Sequence, residues 1–162
     1  MTDVDSSGLL MLRHTVATVV YRGAKTLRDV PEDFGAFRIK PGSRTPVEVL
    51  AHIGDLFDWA LSMAEGKEVW HNSVPQAWDP EVERFFRSVH AFDGFLGSAS
   101  AIACSPERLF QGPVADALTH IGQIAMLRRL NGSPIKGENY FKAEIAVGLV
   151  GREQGAPRKE FD

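Results

Sequence analysis

Asp116 and His120 lie four residues apart in a stretch of helical periodicity, a spacing that stacks two side chains on one helix face. Both can then reach a single ion. His52 falls on the apolar stripe of an earlier helical stretch, where an unpaired imidazole is costly unless something satisfies it. Two imidazole nitrogens and one carboxylate drawn from two helices make a three-ligand, zinc-type site with positions open to water or substrate. A plainer reading stands beside it on spacing alone. A carboxylate and a histidine at i, i+4 can simply hydrogen-bond each other, and a core histidine can be satisfied by a backbone carbonyl or a tyrosine.

Other residues with chemical potential read more simply. His14, on a flank of the first helical stretch, and His71, in a connection, are expected at the surface or locally bonded. His90 follows Val89 on a third helical stretch and reads as a core residue or as one that orients a metal ligand. Cys104 is the single cysteine, so no intramolecular disulfide is possible. It precedes Ser105-Pro106, a helix start that can lower a thiol pKa. Beside Ala101, Ile102 and Ala103, with no general base near it in sequence, it reads instead as a small buried hydrophobe. Arg128-Arg129 places two cations in the last turn of a helix, where they oppose the helix dipole. Glu138 and Tyr140 follow that helix and could close over a site, or serve as a cap and a packing aromatic.

The elements that must position these groups are helical. Leu9, Leu12, Val16, Val19, Val20, Leu27 and Val30 recur at three- and four-residue steps, predicting a first long helix from Ser6 that Pro31 ends. Thr45-Pro46-Val47-Glu48 is a capping box with proline at the first helical position. It opens a second helix with Val49, His52, Leu56, Trp59 and Met63 inward and Ile53 and Ala60 widening the stripe. The period is lost from Glu65 to Gln76. Asp79-Pro80 repeats the cap-then-proline signal before a third helix marked by Val82, Phe85, Phe86, Val89, Phe92 and Leu96. Ser105-Pro106 predicts a short helical turn, and Gly112-Pro113 opens a fourth helix, from about Pro113 to Leu130, with Val114, Ala117, Ile121, Ile124 and Leu127 inward. Asn131-Gly132 with Pro134 ends it. A shorter amphipathic piece is expected over Asn139 to Leu149.

Four long helices and no alternating strand predict an all-α four-helix bundle. It occupies residues 1–150, followed by a charged, frayed tail over 151–162. The two connections of a dozen or so residues exceed the short loops of an up-and-down bundle, so one is expected to be a crossover that leaves two helices parallel.

A chain of 162 residues, 44% hydrophobic and 24% charged, is long enough to bury one full core without disulfides. Eighteen Lys plus Arg against 21 Asp plus Glu give a net charge of −3 with no basic stripe, so no nucleic-acid partner is expected. No apolar run approaches the ~20 residues that cross a bilayer. The lone cysteine and the lack of a signal-peptide pattern at the N-terminus point to a reducing cytoplasm.

The run Asp116-Ala117-Leu118-Thr119-His120-Ile121-Gly122-Gln123-Ile124, with Leu127 to Pro134 after it, resembles the signature helix of the DinB/YfiT-like superfamily, in which a ligand precedes H-x-G-Q by four positions. Thr45 to Ile53 resembles the segment carrying that family's first metal histidine, and the resemblance extends in order and spacing from the first helix to about Gly151. It implies a bundle of DinB/YfiT-like type with a crossover, a homodimer, and a divalent metal such as zinc or nickel held by His52, Asp116 and His120. Many members have histidine where this chain has Asp116, whereas mycothiol-dependent members use a carboxylate there. Two functions follow from the resemblance. One is a metal-dependent transferase that presents a low-molecular-weight thiol to an electrophilic small molecule without a side-chain nucleophile, with metal-dependent hydrolysis as a variant. The other is a non-catalytic, dimeric stress-related or ligand-binding bundle.

Overall fold

The computed structural model describes residues 6–161. Its fold is mostly helical, as the periodicities predict. Four long helices, α1 (Ser6–Leu27), α2 (Pro46–Ala64), α3 (Trp78–Ser98) and α5 (Ala115–Leu130), enclose one core, with a single-turn α4 (Pro106–Leu109) ahead of the last. α1 and α2 each pack against both α3 and α5, so the first connection carries the chain across the diagonal of the assembly. Phe57, Phe85 and Phe92 stack at ring-centroid separations of 6.2 and 6.1 Å in the centre. Phe34, from a one-turn helix over Phe34–Ala36, plugs one end against Trp78. No helix among the described residues is long and apolar enough to cross a membrane.

The predicted capping box opens α2: Thr45 Oγ1 accepts from Glu48 N, while Thr45 N donates to Glu48 Oε2 at 2.7 Å. The α2 stripe is rotated from the expected one. Val49, Ile53, Leu56 and Ala60 are buried as expected, together with Leu50, Phe57 and Ala64, whereas His52, Trp59 and Met63 lie on a half-buried flank. The reason is that α2 packs on two neighbours at once, α3 on one side and α5 on the other. A single moment direction cannot describe a helix with two buried sides.

The relation between α2 and α3 decides the topology. At one end Gly35 is wedged against Trp78, which starts α3, and Val47, in the first turn of α2. At the other, Ala103 N, just past α3, donates to Ala64 O at the end of α2. The two helices therefore run parallel, and residues 65–77 carry the chain back along α2. This return segment is tied at Ser62, which bonds Val69 N, and at Asp55, which accepts from Ser73 N at 3.0 Å and Ser73 Oγ at 2.6 Å. Asp55 also accepts from Arg84 Nη2 at 2.5 Å, and Arg84 reaches Asp58 and the Ala51 carbonyl as well. Gly54 makes room for this guanidinium, since a Cβ there would lie 2.9 Å from Arg84 Cζ.

Four expectations are corrected. α3 begins at Trp78, so Asp79 and Pro80 sit inside its first turn. Proline is accommodated there because first-turn N–H groups have no intrahelical partner. Gly112-Pro113 does not open a helix; it lies within a π-helical turn, Phe110–Val114, that joins α4 to α5. Residues 139–149 form only a 3-10 turn at Tyr140–Lys142. Tyr140 and Ile145 pack while Phe141 is 97% exposed, so the apolar residues of the segment do not share one buried face. The tail ends in a two-residue strand, β2 (Glu160–Phe161), antiparallel to β1 (Gly137–Glu138), where Lys25 pairs with both Glu138 and Glu160.

Breaking the buried ion cluster tests this architecture. Arg84→Ala leaves the buried Asp55 and Glu81 carboxylates without their cation. The expected loss is about 3–5 kcal/mol in urea denaturation.

Candidate metal centre

α5 brings Asp116 and His120 onto one face, and the half-buried flank of α2 sets His52 opposite them. One ligand atom from each of the three lies within 4.8 Å of the others, and the group could hold a metal ion. His52 Nε2 stands 3.6 Å from Asp116 Oδ2, and the two imidazole centroids are 4.7 Å apart. All three predicted residues are thus brought together. Tetrahedral ligands 2.0–2.1 Å from zinc sit about 3.4 Å from one another, so small side-chain rotations would close the set.

Each ligand is held differently. His120 is buried, and its Nδ1 lies 2.8 Å from the backbone carbonyl of Asp116 and 3.2 Å from Asp116 Oδ1. A carbonyl only accepts, so Nδ1 carries a hydrogen and Nε2 is the nitrogen left to face a metal. Metal-ligating histidines are oriented in just this way by a partner on the other nitrogen. Burial, then the nearby His120 and Arg44, pushes the His52 pKa below its ordinary value, with Asp116 opposing. The imidazole is therefore held neutral, the form a metal requires. Asp116 retains a side-chain exposure of 46% and meets solvent beside the two rings.

With His120 buried behind them, His52 and Asp116 edge an open groove of about 470 Å³ lined also by Leu56, Trp59, Glu68 and Trp70. It continues along α2 to Gln111 and Gly112 of the π-helical turn, through shared walls at Leu56, Trp59 and Asp116. The return segment supplies residues that periodicity overlooked. Trp70 meets His52 edge-on at 5.7 Å and Trp59 at 5.6 Å with an interplanar angle of 87°. Glu68 is a non-glycine residue at φ 34, near the left-handed region and held there by hydrogen bonds of residues 67–69 to Ser62. Such a backbone costs roughly 1–2 kcal/mol. The available signal was Val69-Trp70, an apolar pair inside an otherwise polar connection.

The remaining candidates lie elsewhere. His14, His71 and His90 are exposed, which corrects the core or ligand-orienting role expected of His90. Helix α3 turns that side away from its neighbours. Burial raises the Cys104 pKa, with Arg108 opposing it. Glu138 and Tyr140 do not close over the site but pack on α1, where Glu138 accepts from Tyr21 at 2.6 Å and Tyr140 meets Tyr21 and Arg22. Arg128 is buried and donates to carbonyls of Thr26, Arg28 and Asp29, binding the end of α1 rather than simply opposing its own helix dipole. A separate apolar hollow of about 400 Å³ between α1 and α4, lined by Met11, Leu12, Pro106 and Phe110 among others, shares no wall with the three ligands.

No family model, no curated protein and no solved structure matches the chain.

The lowered His52 pKa fixes the sign of a pH effect. Below about 6.5 the unfolded chain binds a proton at this residue before the folded one does, so stability falls as pH drops through that range and is retained above it. Denaturation of chelator-treated protein between pH 7.5 and 5.5 should show this slope, and His52→Asn should flatten it.

Proposed function

We propose that the chain is a divalent-metal protein of DinB/YfiT-like type, a four-helix bundle with a crossover, in which His52, Asp116 and His120 hold zinc or nickel. The observation that carries this reading is the convergence of two imidazoles and one carboxylate from two helices beside an open groove. This donor set suits zinc-type ions, and three protein ligands leave coordination positions for an exogenous group. The resemblance of Thr45–Ile53 and Asp116–Ile124 to the metal-bearing segments of that family supports the same assignment.

The activity we propose is transfer of a low-molecular-weight thiol to an electrophilic small molecule. When bound, the ion would supply Lewis acidity, lowering the pKa of a thiol or water at its open position. The residues of the chain would bind and orient. The Asp116 carbonyl fixes the His120 ring, Leu56 and the two tryptophans give the groove an apolar wall, and the exposed edge of Asp116 leaves an approach from solvent. No side-chain nucleophile is required, in keeping with the raised pKa of Cys104 and its position outside the groove. A cytoplasmic homodimer belongs to the same reading.

Elemental mass spectrometry of protein purified without a histidine tag should find about one divalent metal per chain, as one three-ligand site predicts. His120→Ala should strip the metal and His14→Ala should retain it. Equal retention in both would overturn the ligand assignment, and no metal after reconstitution with zinc and nickel would overturn the proposed function.

A further inference from the structure

The groove beside the three ligands carries a second kind of chemistry, set by the return segment rather than by α5. Trp59 and Trp70 stand almost perpendicular, so together they form two walls of a corner. Glu68 lines the same groove, is exposed, and makes no ion pair or side-chain hydrogen bond among the described residues. No lysine or arginine lines it. Arg44, whose charge reaches His52, is exposed and outside the lining. Two electron-rich indole faces and an unpaired carboxylate attract an organic cation, because the ring quadrupole is negative over its face. An anionic ligand would find no partner on this wall.

We infer that the groove walled by Trp59, Trp70 and Glu68 binds its ligand through an ammonium group, primary or methylated. The positive φ of Glu68 fits this role. Residues 67–69 are bonded to Ser62 in a way that holds a non-glycine residue in an unfavoured backbone conformation, and the side chain so placed is the carboxylate on the groove wall. Backbone outliers held by their surroundings cluster at ligand clamps. The three groups proposed to hold the cation are not metal ligands, although His52 and Asp116 line the same groove and Trp70 packs on His52. The subsite narrows the choice of small molecule: a thiol or electrophile recognised here carries a positive charge on the side that meets the return segment.

Tetramethylammonium serves as the probe, with tert-butanol as a neutral control of similar shape, at ionic strength held constant with sodium chloride. The readout is the indole N–H resonances of Trp59, Trp70 and Trp78. Tetramethylammonium should shift Trp59 and Trp70 saturably and leave Trp78 unchanged, and tert-butanol should shift none of them. Glu68→Gln, a change at an exposed position, should weaken binding about two- to fivefold, and Trp70→Leu should remove the response at Trp59. Equal shifts with both compounds, or parental binding by Glu68→Gln, would overturn the inference. His120→Ala should still bind the cation, so loss of metal and loss of the cation subsite are read separately.

Discussion

A guanidinium buried between two parallel helices underlies the rest of the molecule. Arg84 of α3 reaches Asp55, Asp58 and the Ala51 carbonyl of α2, and Asp55 in turn holds Ser73 of the return segment. A charge in this position is tolerable only because it is paired with Asp55 and Asp58 and hydrogen-bonded to the Ala51 carbonyl. The arrangement couples two things that would otherwise vary independently, the register of α3 on α2 and the path of residues 65–77. With that path set, Trp70 is brought against His52 and Trp59, and the groove acquires its outer wall.

Helix α2 therefore presents three differently used sides. Its most apolar side enters the core through Ile53, Phe57 and Ala60, the Asp55 side meets Arg84, and the His52 side faces α5 across the groove. The division of labour follows from helix geometry, since residues one and two apart point in different directions while those three and four apart share a face. His52 and Asp55 are nonetheless close enough along the helix that the ion cluster and the candidate metal centre share one rigid support. On the other side of the groove, α5 is aligned at both ends. The π-helical turn joins it to α4 without a break, and Arg128 fastens its last turns to the terminal carbonyls of α1.

Much of this was legible in the residues. The capping box at Thr45, the helix stop at Asn131-Gly132 and the i, i+4 pair Asp116 and His120 depend on contacts within a few positions, and each has a local physical cause. The piece over Asn139 to Leu149 failed for the converse reason. Its apolar residues recur at helical spacing, yet Phe141 points to solvent while Tyr140 and Ile145 pack, and periodicity alone does not make a short segment helical when only part of its apolar face is buried. His90 illustrates the same limit on a true helix, where a neighbour of core residues proves to be exposed.

What the sequence by itself determined is the helical content, most of the helix limits and the identities of three residues able to share an ion. These rest on short-range periodicity and capping, whose energetics are complete within one element. Only the tertiary structure decided that α2 and α3 run parallel, that Arg128 binds the end of α1, and that Glu68 and Trp70 join His52 at one groove. Those outcomes depend on contacts between residues far apart in the chain, where a buried charge must find its partners and a nonperiodic connection takes the path its hydrogen bonds impose.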